Sequence, residues 1–301
     1  MRITAVLNPN SGTLRTDDPH RLGTVLERLF GEQGHELDYL TTDGSNLIET
    51  LEGLASDPSL DAIIACGGDG TASAAAGIAW AHDKAIGILP GGTMNLFARS
   101  LGLPLDVELA AEALAAGYLA NADIATANGR PFIHQLSVGL HPRTVRLRRA
   151  FSYHSRLGKV LASIRAFLAS IGRPPVFQVE IETPSGRWSG PLSALSVSNN
   201  PYGPGHLPYA DSLDSGQLGI YTAGPLDRRQ SLQIAADMTL GSWDENPFVK
   251  RQLAPDARIT FPDLASSARA VIDGELIPLE RAIDFKLHAG ALKVLMPKRA
   301  D

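Results

Sequence analysis

Three loops rich in glycine, asparagine and serine constrain the fold of this chain more than any other feature. They read NPNSG at residues 8–12, GGDGT at 67–71 and PGGT at 90–93. Each follows a short apolar run with the length of a buried strand, at residues 3–7, 60–65 and 85–89. Because the strands and loops recur in this order with helices between them, the sequence predicts βαβ units and a parallel sheet. The three loops would then lie at the C-terminal edge of that sheet.

Helical segments separate the predicted strands. Asp18 and Pro19 have the pattern of an N-cap followed by proline at the first helical position. Leucines at 22, 26 and 29 then share one helical face. A further strand is predicted at residues 37–40. The other helices of this part are predicted after Leu47, at 72–80 and at 94–100.

The character of the chain changes near residue 121. From Asp123 onward, short runs of β-type residues alternate with Gly, Pro, Asn and Ser, which predicts an antiparallel sandwich or barrel. The predicted strands include the runs at 176–181, 192–197, 218–221, 257–261 and 270–277. Helical insertions are predicted at residues 157–170 and 228–240. The expected fold class is therefore an α/β N-terminal domain with a parallel sheet, followed by a β-rich C-terminal sandwich domain. The predicted domains are residues 1–122 and 123–289, with a substrate cleft between them and residues 290–301 packing back onto the first domain.

Charge and composition exclude some classes of function. The chain carries 27 basic and 32 acidic residues, a formal net charge of -5, so it lacks the broad positive field of a nucleic-acid-binding protein. The single cysteine, Cys66, rules out an intramolecular disulfide. No stretch approaches the roughly 18 consecutive apolar residues of a membrane span. We therefore expect a cytoplasmic protein without a transmembrane segment, whose membrane contact would be peripheral, at the inner face.

The GGDGT loop has the chemistry of a phosphate site. Glycines let the backbone approach a ligand closely, and the free N–H groups and dipole at the start of the next helix favour an anion. Asp69 would be repelled by phosphates unless Mg²⁺ or a shared proton compensates. The alternative is a tight strand-to-helix turn that Asp69 caps. This alternative accounts for one glycine and the aspartate, but less well for three glycines and a threonine.

The segments NPNSG, GGDGT and PGGTMNLFAR, in this order and spacing, resemble the diacylglycerol kinase catalytic-domain family. That family includes bacterial soluble lipid kinases, sphingosine kinases and ceramide kinases, and it is related to NAD kinases. The resemblance is strongest over residues 1–122. It implies an NAD-kinase-like fold, ATP and a lipid hydroxyl as substrates, Mg²⁺ as cofactor and action at a membrane surface, and it allows a homodimer.

The resemblance also implies roles for particular residues. Asp69 is similar to the catalytic aspartate of the family, and Asp123 to an aspartate tied to the network of Mg²⁺ and water near it. Glu275, in the sequence VIDGELI, resembles the acceptor of the lipid hydroxyl's proton. The implied ATP-contacting positions are Asn8, Pro9, Asn10, Ser11, Gly12, Thr41 or Thr42, Gly67, Gly68, Asp69, Gly70, Thr71 and Thr93.

The Glu275 segment has a second interpretation. Asp273-Gly274 between two apolar pairs is also a standard hairpin turn signal, which by itself predicts an exposed Glu275 without a catalytic role. The two interpretations are compatible, because a turn can present a carboxylate toward a cleft. A general base must come within about 3 Å of the hydroxyl, directly or through one water.

The chain departs from the family pattern at several positions. Bacterial members hold a structural Mg²⁺ in a loop that ends in D-D-G-x-L or similar, where this chain reads LDSGQL at 213–218. Ser215 thus stands where the ligating aspartate is usual, and a hard cation gains much from a carboxylate. The matching metal positions are Ser212, Asp214, Ser215 and Gln217. The other departures are Leu96 for an acid, Ser73 for an asparagine, and Gly139-Leu140-His141 for G-x-D.

A basic run interrupted by apolar residues extends over residues 143–165. Such runs are usually solvated faces, but a lipid kinase must reach an anionic bilayer, so we also consider that this segment meets the membrane.

Three functions remain open from the sequence. The first is an ATP-dependent kinase of a lipid hydroxyl such as that of diacylglycerol. The second is an NAD-kinase-like enzyme with a soluble acceptor, although the N-E acceptor motif of those enzymes is not found after PGGT. The third is a nucleotide- or lipid-binding protein without turnover, which Ser215 and His141 motivate.

Overall fold

The computed structural model of this chain describes residues 1–12, 18–140, 142 and 174–298. The N-terminal part is the predicted parallel sheet with flanking helices. Its strands are β1 (Arg2–Leu7), β2 (Glu36–Thr41), β3 (Ala62–Gly67) and β4 (Ala85–Pro90), in the order β2-β1-β3-β4. Its helices are α1 (Pro19–Glu32), α2 (Leu47–Ala55), α3 (Asp69–Ala81), α4 (Leu96–Ser100) and α5 (Val107–Ala115). The predicted α/β organisation is confirmed.

The local sequence explains where these elements begin and what they bury. β3 and β4 are buried at every residue, as expected for central strands covered by helices on both faces. The Asp18 carboxylate accepts a hydrogen bond from the His20 N–H at 3.0 Å, and Pro19 opens α1, so the predicted N-cap is confirmed. Leu22, Leu26 and Phe30 form the buried face of this helix.

The same sheet continues into the C-terminal half of the chain. After β4 come β16 (Ala282–Met296), β13 (Asp256–Thr260), β8 (Phe177–Thr183) and β9 (Gly186–Leu192). β5 (Tyr118–Ala127) pairs with β16 and with the short β6 (Arg130–Phe132). Val294 of β16 lies beside Ile86 of β4. The boundary predicted near residue 122 falls inside β5, and the domain limits stay a prediction.

A second, antiparallel sheet covers the C-terminal half of the first. Its strands, in spatial order, are residues 249–254, 218–223, 194–198, 135–139, 269–272 and 275–278. The two sheets enclose a core that includes Leu136, Val197, Ile220, Ile259 and Phe285, so the predicted sandwich is confirmed. The strands are β7 (Gln135–Gly139), β10 (Ala194–Ser198), β11 (Leu218–Ala223), β12 (Val249–Ala254), β14 (Arg269–Ile272) and β15 (Glu275–Pro278).

Helical insertions and strand breaks complete the second half. α6 (Arg228–Leu240) has the predicted bounds and begins with a capping box between Asp227 and Gln230. The apolar run at 192–197 is not one strand, because the chain passes from one sheet to the other at Ser193. The predicted helix at 157–170 lies outside the described residues.

Candidate active site

The three glycine-containing loops meet at the C-terminal edge of the parallel sheet. The Gly91 N–H donates to the Gly67 carbonyl at 2.8 Å, which joins the third loop to the second. The Asn8 N–H donates to the Cys66 carbonyl at 3.1 Å, which joins the first loop to the strand before the second. The sequence predicted this meeting from the strand order alone, and these backbone hydrogen bonds set its close geometry.

Several of the glycines are required because the loops pack backbone against backbone. A Cβ on Gly92 would lie 2.6 Å from Gly68 Cα, and one on Gly91 would lie 2.9 Å from Gly67 Cα. A Cβ on Gly67 would meet Thr71 Oγ1 at 2.5 Å. Gly70 differs, because a Cβ there would meet no other described segment of the chain within 4 Å. Gly70 is exposed in the first turn of α3, so its side of the loop is open to a ligand.

Asp69 connects the second loop to the third. Its carboxylate accepts hydrogen bonds from the Asn95 N–H at 3.1 Å and the Leu96 N–H at 2.6 Å, which lie at the start of α4. Asn95 has left-handed backbone angles, and its side chain exchanges two hydrogen bonds with the backbone of Gly92. Asp69 therefore caps α4 rather than its own helix α3. Two hydrogen bonds leave part of the acceptor capacity of a carboxylate free.

The remaining predicted nucleotide positions surround this junction. Ser11 is buried, and its Oγ has no hydrogen-bond partner among the described residues. Thr42 is buried and its Oγ1 lies 3.3 Å from Thr50 Oγ1, whereas Thr41 and Thr93 are exposed.

The other members of the first loop form a turn in which the Asn8 carboxamide accepts from the Asn10 N–H at 3.0 Å. The cradle of glycines, the orphaned Ser11 hydroxyl and the N-terminus of α3 together fit a phosphate group.

Cys66, directly before the GGDGT loop, is a packing residue. It is fully buried in β3, and burial raises the pKa of its thiol to about 12. The thiol is therefore neutral at ordinary pH and is no nucleophile.

Asp123 lies at the junction between the two halves of the chain and is almost fully buried. Its carboxylate accepts from the Gly216 N–H at 2.8 Å and the Gly290 N–H at 2.9 Å. Its own carbonyl accepts from the Asn199 side chain at 2.9 Å. This aspartate thus fastens three segments that are far apart in sequence. Its suggested link to a network of Mg²⁺ and water stays a prediction.

The loop matched to a structural metal site is closed by other contacts. Ser215 Oγ donates to Asn200 Oδ1 at 2.6 Å and accepts from the Gln217 N–H at 3.2 Å. The Asp214 carboxylate is exposed and is hydrogen-bonded to Ser212 Oγ. Within the described ranges, no three His, Cys, Asp or Glu side chains are grouped to hold a metal. The residues of this loop do not fit a Mg²⁺ site, because the exposed Asp214 carboxylate is bonded to Ser212 and the Ser215 hydroxyl already has partners.

Glu275 opens β15, directly after the predicted Asp-Gly hairpin turn. The turn residues Asp273 and Gly274 both have positive φ, 43° and 85°, as this hairpin type requires. The Glu275 side chain is 62% exposed, and its Oε2 accepts from Arg130 of β6 at 2.5 Å. The hairpin interpretation of DGE is therefore right about the local structure, and the carboxylate stays reachable from solvent.

A cavity of about 250 Å³ lies beside this hairpin. Its walls combine apolar side chains of the sandwich core with polar groups at the rim, and Arg130 is shared with the Glu275 ion pair. The lining residues are Ala127, Asn128, Arg130, Leu136, Ile272, Ile277, Pro278, Glu280 and Ile283.

Sequence reasoning missed two residues of this region. Asp273 was treated only as a turn former, yet its carboxylate is buried and accepts four hydrogen bonds. Asn95 was not singled out, although its left-handed conformation builds the third loop. The asparagine within PGGTMNLFAR was the available signal for Asn95. For Asp273, the hairpin signal predicted the turn but not the buried hydrogen bonds of its carboxylate.

The basic run at 143–165 lies outside the described residues. In the part of the chain that the structure describes, no helix is both long and apolar enough to cross a bilayer.

Comparisons with known proteins agree with the geometry. A family model described as the diacylglycerol kinase catalytic domain matches residues 2–127. A Pseudomonas syringae protein named probable lipid kinase YegS-like is 30% identical over 276 residues, covering 88% of this chain and 86% of the relative. The diacylglycerol kinase of Bacillus subtilis is 28% identical over 242 residues, 78% of this chain and 77% of the relative. A Synechocystis relative, 27% identical over 246 residues and 78% of this chain, is longer, and the match spans 54% of it.

A solved structure shares the fold. The crystal structure of a diacylglycerol kinase from Bacillus anthracis matches with a TM-score of 0.73 at 20% identity. The match covers 99% of this chain and 97% of that one, so both the α/β part and the sandwich are included.

Proposed function

We propose that this chain, which belongs to the diacylglycerol kinase catalytic-domain family, transfers the γ-phosphoryl group of ATP to a lipid hydroxyl such as that of diacylglycerol. The observation that carries the proposal is the meeting of three glycine loops at the N-terminus of α3, with an unpartnered Ser11 hydroxyl buried among them. Such a cradle presents N–H and O–H donors to a polyanion where none of the described side chains blocks its approach.

In the proposed nucleotide site, the phosphates lie along the edge of the sheet. The first N–H groups of α3, those of Asp69 and Gly70, donate to phosphate oxygens, and Ser11 Oγ gains a partner that it lacks among the described residues. The open side of Gly70 leaves room for the phosphates. Because these donors are held by loop-to-loop contacts, they need no reorganisation during transfer. The contributing positions are those of residues 8–12 and 67–71, with Thr41 or Thr42 and Thr93 at the periphery.

Asp69 is the proposed carboxylate for the metal that accompanies ATP. Mg²⁺, when bound, would neutralise charge on the phosphate oxygens as they react. Asp69 is fixed in place by the Asn95 and Leu96 N–H groups and keeps free acceptor capacity toward the cradle. Asp123 is assigned a supporting role here, since both of its oxygens hold backbone N–H groups at the junction.

Glu275 is the proposed general base. It takes the proton of the lipid hydroxyl while that oxygen bonds to the γ-phosphorus and the bond to the ADP oxygen breaks. Its carboxylate is exposed and paired with Arg130, so it is free to exchange one partner for the other. The cavity beside the hairpin, about 250 Å³ with Arg130 on its rim, suits the hydroxyl-bearing end of a lipid rather than its acyl chains.

A direct assay tests this function. The purified chain, given γ-labelled ATP, Mg²⁺ and vesicles of diacylglycerol, sphingoid base, ceramide or phosphatidylglycerol, should yield labelled lipid. Asp69→Asn should abolish the label and Glu275→Gln should reduce it by about 100-fold or more, the usual scale for a lost general base. Equal product from the Asp69→Asn variant would refute the role of Asp69.

Two residues supply matched controls. Asp106 caps α5 by accepting from the Glu108 and Leu109 N–H groups, as Asp69 caps α4, so Asp106→Asn should keep activity. Glu182 is paired with Arg187 at 2.5 Å, as Glu275 is with Arg130, so Glu182→Gln should also keep it. Label on NAD but on no lipid would favour a soluble acceptor, and ATP binding without any turnover would favour a binding protein.

A further inference from the structure

A buried carboxylate stands two residues before Glu275 and has no part in the function proposed above. Asp273 occupies the hairpin turn, where its positive φ would suit a solvent-exposed turn residue. Instead its side chain points inward, and the residue is 8% exposed. Burial raises the pKa of this carboxyl, while the hydrogen bonds donated to it oppose the rise. A carboxylate is costly to place in such a position unless its partners are specific.

Three of its partners are successive backbone N–H groups. Asp273 Oδ2 accepts from Ile133 at 2.9 Å, and Oδ1 accepts from His134 at 3.0 Å and Gln135 at 2.9 Å. The Asp273 N–H in turn donates to the Gln135 carbonyl at 2.9 Å. These four bonds fasten the hairpin to the segment that links β6 to β7, and they suffice to fix the turn inside the β-rich half of the chain.

The remaining partner comes from the other half of the chain. Ser73 Oγ donates to Asp273 Oδ2 at 2.7 Å, across 200 residues of sequence. Ser73 lies in α3 one turn after Asp69, so the two share a helix face about 6 Å apart along the axis. The carboxylate therefore links the hairpin that carries Glu275 to the helix that begins in the phosphate loop.

The same face of α3 contacts the β-rich half at two further points. A Cβ on Gly77 would lie 2.9 Å from Pro131 Cγ of β6, so helix and strand are in close contact there. The Trp80 ring lies 4.9 Å from the ring of His288 in β16. Positions 69, 73, 77 and 80 form one stripe along the helix. Of these contacts, the hydrogen bond from Ser73 is the one that reaches the hairpin with Glu275.

We propose that Asp273 is a positioning residue for phosphoryl transfer, which through Ser73 holds the Glu275 hairpin at a fixed distance from the phosphate loop. The proposal rests on the function proposed above. Asp273 contacts neither ATP nor lipid. It acts on the rate, because a general base displaced by about 1 Å loses as much as 100-fold of its effect.

Substitutions at Ser73 test the link without removing the three backbone bonds. Ser73→Ala should lower kcat about 10-fold, as expected for a loosened base, with KM for ATP within about twofold of wild type. Ser73→Thr keeps the hydroxyl and should retain most of the rate. Ser231→Ala is the matched control, since Ser231 is a buried helical serine in α6 that donates to the Asp227 carbonyl at 2.9 Å. Unchanged kcat in Ser73→Ala, or equal loss in Ser73→Thr and Ser73→Ala, would overturn the proposal.

A second measurement separates this inference from the lipid kinase function itself. Deuterium exchange of residues 270–278 is followed in wild type and in Ser73→Ala, each with and without a non-hydrolysable ATP analogue and Mg²⁺. The link predicts that the analogue slows exchange of the hairpin in wild type but not in Ser73→Ala. This result holds even if no lipid accepts phosphate, in which case only the proposed function fails. Equal protection in both proteins would overturn the link whatever the lipid assay shows.

Discussion

The loop edge of the parallel sheet and the junction with the β-rich half use opposite means to hold the chain together. At the loop edge, backbone lies against backbone, and Gly92 and Gly68 approach so closely that no side chain fits between them. At the junction, buried carboxylates gather N–H groups from distant segments. Asp123 accepts from Gly216 and Gly290, and Asp273 from Ser73 and three successive backbone groups.

This difference explains which contacts can be predicted from a sequence motif and which cannot. A loop that packs against another backbone requires glycine, so the requirement is visible in the sequence of the loop itself. A buried carboxylate requires donors from remote parts of the chain. The residues next to it in the sequence do not identify those donors. Substitutions in the two regions should therefore have different effects, which can be measured separately.

The largest effect is expected from adding one carbon at the loop edge. In Gly92→Ala the new Cβ would lie 2.6 Å from Gly68 Cα and 2.8 Å from Asn95 Oδ1, so the second and third loops must separate. We expect ATP binding to weaken by about 100-fold, the scale of an ångström-sized displacement, with a loss of about 1–3 kcal/mol in unfolding free energy from overpacking. Calorimetric titration of ATP and urea unfolding measure the two.

Substitutions at two other glycines serve as controls for Gly92→Ala. In Gly70→Ala the new carbon meets no other described segment within 4 Å, so the variant should unfold like wild type yet bind ATP more weakly if phosphates lie there. Gly53→Ala, in the open middle of α2, should change neither binding nor the fold. Normal ATP binding by Gly92→Ala would show that the close approach of these loops is irrelevant to the site.

The second effect is expected at the junction and concerns stability first. Asp123→Asn keeps the shape of the side chain but turns an amide NH₂ toward one of the two N–H donors, Gly216 or Gly290. We expect a loss of about 2–3 kcal/mol in unfolding free energy, because one buried donor loses its acceptor. Urea unfolding measures the loss. Asp284→Asn, an exposed partner of Arg258, should cost less than about 1 kcal/mol. Equal losses would mean that the junction does not depend on Asp123.

The smallest effect is expected where α3 meets β16. Burial first, and the charge of Lys286 second, lower the pKa of His288 below its ordinary value of 6.5. His288 therefore stabilises the fold above about pH 6.5, and this contribution is lost as pH falls through the lowered folded-state pKa. The unfolding free energy of His288→Gln should fall less than that of wild type between pH 7 and pH 5.

His35 does not disturb this comparison. Its pKa is also lowered, by burial and by the amino terminus, but it is present in both proteins and its contribution cancels in the difference. Parallel curves for wild type and His288→Gln would show that the contact with Trp80 carries no pH dependence.

Prediction from sequence succeeded where the determinants are local. Hydrophobic runs gave the strands of the parallel sheet within one or two residues, Asp18 and Pro19 gave the start of α1, and Asp273-Gly274 gave the hairpin. The run at 192–197 failed, because a change of sheet at Ser193 depends on packing on both sides and not on residue type. The role of Asp69 as a cap of α4 was also missed, since its donors lie 26 and 27 residues away.

The sequence by itself determined that this chain contains a parallel sheet with glycine loops at one edge, because strand periodicity and the need for glycine are properties of neighbouring residues. Only the tertiary structure decided what the carboxylates do. Asp273 forms a turn, but burial and a donor from a distant segment also make it a link to α3. Asp123 is likewise buried and accepts from two distant segments at the junction between the halves of the chain. Glu275, two residues from Asp273, is left exposed beside Arg130. Hydrogen bonds between remote segments exist only after the chain has folded, so no local pattern records them.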